Sequence, residues 1–213
     1  MQRKLLNIKG FLVLLTIAYA NEENTNMEKR IKGNPLKIAM LKIQSNKEHF
    51  KDAFAESRKV SSEIIQNLQN EDEYYLQFER IKNYIQNIVE NIEESISILN
   101  KIKSIFDNES NPTTEDVINA LFLILENTAF FGDIIYKFPK ITTSILKIEK
   151  RWIDPLTLSL IYTSAMEDFL GASTNNIIST AQERLRDIKE ELKLKINKIS
   201  EHQIRSKFVR FEL

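Results

Sequence analysis

Apolar side chains recur along this chain at steps of three and four, the spacing that lines one face of an α-helix. Residues 36–43 read as a short helix after the break Gly33-Asn34-Pro35. Ser45-Asn46-Lys47-Glu48 has the form of a capping box, in which the Ser45 hydroxyl and the Glu48 carboxylate satisfy each other's backbone amides. Phe50, Phe54, Ser57, Ser61, Ile64 and Leu68 then mark one face of a second helix. Tyr75, Phe78, Ile81, Ile85, Ile88, Ile92, Leu99, Ile102 and Phe106 predict a longer helix over residues 72–106, with Ser95 filling a gap in the seam. After a turn at 107–112, Thr113 is placed to cap the next helix, with Asp116 three residues on.

Residues 117–131 differ from the rest. The run Ala120-Leu121-Phe122-Leu123-Ile124-Leu125 has no charge, and a helix lacking a polar face belongs at the centre of a bundle. Glu115, Asp116 and Glu126 bracket too short a run for a membrane span. Gly132 reads as its end. Asp133 reads as a cap for 134–138, Pro139 as the start of a segment to Trp152, and Asp154-Pro155 as the start of a helix over 155–170 that Gly171 closes. Ser173 or Thr174 opens the last helix, whose seam is Ile178, Ala181, Leu185, Ile188, Leu192, Ile196 and Ile199, extending toward Phe208 and Phe211. The fold expected is all-α, an elongated antiparallel bundle of five or six helices spanning 36–213.

The first twenty residues break the pattern. A basic start, an apolar stretch with its strongest part at Phe11-Leu12-Val13-Leu14-Leu15, and Ala18-Tyr19-Ala20 describe a signal peptide cleaved between Ala20 and Asn21. Residues 21–35 read as a disordered polar tether. Export, to the periplasm, the outer surface or the medium, follows as an expectation.

Composition agrees with long helices. Only 4 Gly and 4 Pro occur in 213 residues, and hydrophobic residues make up 42%. Formal charge is zero, with 30 basic and 30 acidic groups. Removing residues 1–20 takes Arg3, Lys4 and Lys9 and leaves 27 basic against 30 acidic groups, a net −3 that gives no general pull toward nucleic acid. Without cysteine there are no disulfides, thiolate nucleophiles, Cys-based metal sites or lipid-bearing Cys.

Catalytic chemistry is not advertised. His49 and His202 lack a ligand pattern on their own helix faces, and the di-iron, phosphate-loop and hydrolase motifs are missing. The acidic pairs Glu93-Glu94, Glu167-Asp168 and Glu190-Glu191 consist of neighbours that point about 100° apart on a helix. No catalytic residue, metal site or cofactor is therefore expected.

Two features carry a binding reading. Tyr74 and Tyr75 cannot both face one core, Phe130 and Phe131 flank the expected turn, and Trp152 lies beside another, so aromatics at bundle ends become candidate partner anchors, with core packing as the competing explanation. In the tail, Lys207 and Arg210 alternate with Phe208 and Phe211, a pattern suited to docking or to an ordinary cationic helix end.

The start Met1-Gln2-Arg3-Lys4-Leu5-Leu6-Asn7-Ile8-Lys9-Gly10, the acidic Asn-containing tether and the Ile/Lys-rich helices resemble the helical surface antigens of Borrelia, the complement-regulator-acquiring and related virulence-associated lipoproteins. That resemblance implies a non-enzymatic surface protein that binds host serum or matrix proteins and evades immunity. The alternative is a periplasmic structural or assembly protein packing against bacterial partners. Long apolar seams also permit a homodimer.

Overall fold

The computed structural model describes residues 35–102 and 112–209, with side chains to residue 194. The expected signal peptide with its Ala20–Asn21 junction, the tether up to residue 34, and Phe106 lie outside the described residues. Within them the chain forms α1 (Pro35–Ser45), α2 (Lys47–Gln69), α3 (Tyr74–Asn100), α4 (Thr114–Lys137), α5 (Pro139–Ile148), α6 (Ile153–Ser164) and α7 (Ala172–Val209). Short 3₁₀ turns at Lys150–Trp152 and Glu167–Phe169 complete it, and no strand occurs among the described residues. The all-α expectation holds, and the described residues contain seven α-helices rather than five or six, because the short segments Pro35–Ser45 and Pro139–Ile148 each stand as a helix of their own.

α4 organises the molecule. It packs against each of the other six helices. Val117, Ala120, Ile124, Leu125, Ala129, Phe131, Ile134 and Ile135 are all fully buried along it. The uncharged run could settle nowhere else, because an apolar helix surface left in water forgoes about 25 cal/mol per Å². The expectation that this run is too short to span a membrane is corrected: because the helix continues past Gly132 to Lys137, α4 is long and apolar enough by length and composition, and 67% of that window is buried inside the structure. α3 runs antiparallel beside it, placing Asn91 against Asn127 and the Tyr84 ring 5.6 Å from that of Phe130.

The start of α4 follows the sequence. Asp116 N–H donates to Thr113 Oγ1 (3.1 Å), and Thr113 donates from its backbone N–H (2.9 Å) and its hydroxyl (2.7 Å) to Asp116 Oδ2. Those bonds, the hydroxyl's first, hold the Asp116 carboxyl below its ordinary 3.8. A lowered native pKa means that the unfolded chain binds more protons in the window between the native pKa and 3.8. The stabilisation is complete above pH 3.8 and is lost as pH falls through the native pKa. Thr113→Ala should cost about 1 kcal/mol at neutral pH. Acid titrations followed by circular dichroism should also show a shallower fall in stability below pH 3.8 for the variant than for the wild type.

Elsewhere local signals gave way to tertiary ones. Ser45 does not cap α2. Its hydroxyl donates back to the Lys42 carbonyl (3.0 Å), closing α1, and Asn46 occupies the cap position of α2 without capping it, since its side-chain amide also donates back to the Lys42 carbonyl (3.0 Å). On α2, Ile65 rather than Ile64 is buried. α3 ends at Asn100, short of the expected 106. α4 does not end at Gly132 but continues to Lys137, carrying Phe130 and Phe131 inside the helix. Asp133 is no cap: Arg58 of α2 donates to both its carboxylate oxygens, at 2.5 and 2.8 Å. α6 begins at Ile153, so Asp154 and Pro155 lie in its first turn, where a missing N–H goes unnoticed. Gly171 closes no helix. Its carbonyl accepts from Asn175 N–H (3.0 Å) and opens α7, with Ser173 and Thr174 inside the first turn. Of the expected α7 seam, Ile178, Ala181, Leu185 and Ile188 are buried and Leu192 is partly so, while the side chains of Ile196 and Ile199 lie outside the described residues.

Candidate functional site

The corner between α2 and α3 exposes five consecutive residues, Asp72, Glu73, Tyr74, Tyr75 and Leu76. Tyr74 is 64% exposed and Tyr75 70%, so neither tyrosine supports the core. The frame around them is fixed. Asn70 N–H donates to the Gln66 carbonyl (3.1 Å), and the Gln77 side-chain amide reaches back to the Leu68 carbonyl (2.8 Å). Arg80 pairs with the mostly buried Glu71 at 2.9 Å. The Tyr74 ring lies 6.4 Å from that of Phe78, itself packed on the core. Two aromatic rings and a leucine presented beside two carboxylates that have no cationic partner among the described residues have the composition of a protein-docking anchor.

The other expected sites fare differently. Trp152 is buried at the start of α6 and serves the core, which corrects its reading as an exposed anchor. Phe130 and Phe131 are buried as well. Lys207 and Phe208 lie on the α7 backbone with side chains outside the described residues, and Arg210 and Phe211 lie beyond them altogether. His49 is exposed.

Among the described residues no group of three or more His, Asp or Glu is placed to hold a metal. Adjacent carboxylates diverge as helix geometry requires: Glu190 meets Lys193 (2.8 Å) while Glu191 meets Lys147 (2.7 Å). A half-open groove of about 300 Å³ lies between α6 and α7, floored by Leu160, Ile161 and Leu185, with Arg186, Lys189 and Glu190 at its edge. Lys189 is already paired with Asp154 at 3.1 Å. None of these arrangements places a nucleophile against a base.

Sequence reasoning missed the polar junction between α2 and α4. Beside the Arg58–Asp133 pair, the Ser57 hydroxyl donates to Glu126 at 2.6 Å. Charges at positions 126 and 133, on an otherwise apolar helix, were the signal that could have found it.

Comparison with curated proteins and with solved structures yields no match. A family model does match, over residues 38–208, and its description reads "ERK and JNK pathways, inhibitor". That finding overturns the resemblance to Borrelia surface antigens and, with it, the expected roles in host serum or matrix binding, immune evasion and virulence at a bacterial surface, as well as the alternative of a bacterial assembly protein. The Ile/Lys-rich composition and the leader behind that resemblance contain no binding motif, whereas the family match runs through the helices themselves. The family's description implies protein partners in signalling pathways. Since the match covers all seven helices apart from a few residues at each end, the chain belongs to the family of ERK and JNK pathway inhibitors.

Proposed function

We propose that this protein inhibits ERK and JNK signalling without catalysis, by binding a protein of those pathways in stoichiometric amount through the α2–α3 corner. The observation that carries this reading is the rigid, exposed run Asp72–Leu76, whose two tyrosines make almost no contribution to the fold. A partner that buries both rings gains the large contact area typical of binding hot spots, and Asp72 and Glu73 favour a surface bearing cations.

The test uses purified kinases of both cascades and titrates phosphorylation of ERK and JNK against this protein. Inhibition should saturate near equimolar ratio. The double substitution Tyr74→Ala/Tyr75→Ala should weaken it by about tenfold or more, in line with the loss of hot-spot aromatics, with an unchanged circular dichroism spectrum. Inhibition at a small fraction of equimolar, with turnover, would mean an enzyme. Full potency in the double variant would remove the corner from the mechanism.

A further inference from the structure

A second surface, of opposite character, lies on α5 and the turn after it. The α5 inner face, Ile141, Thr142, Ile145 and Leu146, is buried. Its outer face presents Lys140, Ser144 and Ile148, each four residues from the last and each exposed. Tyr136 and Lys137 precede it, and Lys150 and Arg151 follow, all exposed. From 136 to 151 there are five cationic side chains against the single carboxylate Glu149. Glu149 is shared between Lys82 and Arg151, both at 3.7 Å, and Lys147 is held by Glu191. Lys140 and Lys150 have no carboxylate partner among the described residues, and Lys137 engages only the Tyr136 ring, at 5.4 Å. In a chain of zero formal charge this is a local excess of positive charge. Among the unpaired ammonium groups stand two large apolar side chains, Ile148, 67% exposed, and Tyr136, 49% exposed.

We infer that the α5 face is a docking surface for an acidic protein segment, one that carries carboxylates for Lys137, Lys140 and Lys150 and an aliphatic side chain for Ile148. Charge complementarity selects the occupant. An anionic membrane fits less well, because one isoleucine and one tyrosine are a small apolar face for insertion between lipids. The assignment stands independently of the α2–α3 corner, which attracts the opposite charge.

The experiment measures fluorescence anisotropy of a labelled peptide of alternating glutamate and leucine as the full-length protein is added. Three proteins are compared with the wild type. One carries Lys137→Glu, Lys140→Glu and Lys150→Glu. A second, of the same net charge, carries Lys42→Glu, Lys59→Glu and Lys193→Glu on other exposed faces. The third carries Ile148→Ser. The α5 reversal should weaken binding by about tenfold or more, Ile148→Ser should weaken it measurably, and the charge-matched control should stay close to the wild type once all four give the same circular dichroism spectrum. Equal losses in the two reversals would reduce the effect to net charge and overturn the assignment. So would the absence of peptide binding by the wild type. Preferential binding to phosphatidylserine vesicles through the same lysines would replace the occupant with a membrane. Self-association abolished by the α5 reversal would replace it with a second copy of this chain.

Discussion

Phe131→Ala is expected to lower unfolding free energy by about 3–5 kcal/mol, the range for removing a fully buried aromatic side chain. Phe131 has no exposed surface and is among the largest fully enclosed side chains in the molecule. It sits on α4, which packs against all six other helices, so the cavity left behind would be lined by elements that cannot all move inward together. Leu123 is the internal control. It lies two turns earlier on the same helix but is 39% exposed, and Leu123→Ala should cost less than about 1 kcal/mol because only the buried part of the side chain is lost. Urea titrations read by circular dichroism should show a large fall in midpoint for Phe131→Ala, a small one for Leu123→Ala, and similar slopes for both. Equal and modest effects at the two positions would mean that α4 is not the packed centre of the bundle.

The same helix shows how far the sequence carries. Its apolar run identified a central helix because burial is the only way such a surface leaves water, and the Thr113–Asp116 cap was legible because both partners lie within one turn. Signals that depend on a distant neighbour mislead. Asp133 looked like a local cap, yet its partner is Arg58, 75 residues away. Ile64 fits an ideal seam on α2, but the actual packing direction buries Ile65. Of the candidate site, the improbability of both Tyr74 and Tyr75 facing inward was visible, while the burial of Trp152 was not, because its place depends on a 3₁₀ turn that brings α6 back onto the core. The α5 face escaped for a further reason. Five cations spread over sixteen residues look like ordinary solvated charge until the structure shows which carboxylates are already engaged.

The two described glycines sharpen that distinction into an expected difference of sign and size. Both Gly132 and Gly171 have the sequence context of helix terminators, yet neither adopts a positive φ, so left-handed backbone is not the reason for either. Gly132 lies within α4 where α7 crosses it, and a Cβ added there would stand 2.7 Å from Ile177 Cγ2. That methyl belongs to a β-branched side chain with little rotamer freedom in a helix, so relief requires the two helices to part. Gly132→Ala should therefore destabilise by about 1–3 kcal/mol, the cost of overpacking, despite alanine's better helix propensity. At Gly171 an added Cβ meets nothing within 4 Å. There alanine restricts the unfolded chain, a gain of about 0.4–1 kcal/mol, and is a poorer residue than glycine at a helix start, a loss of about 0.7 kcal/mol, so Gly171→Ala should remain within about 0.5 kcal/mol of the wild type. Thermal melts of the two single variants decide the matter: a marked drop for Gly132→Ala alone establishes the α4–α7 contact, whereas an unchanged or raised midpoint there would show that the helices do not approach as closely as the structure places them.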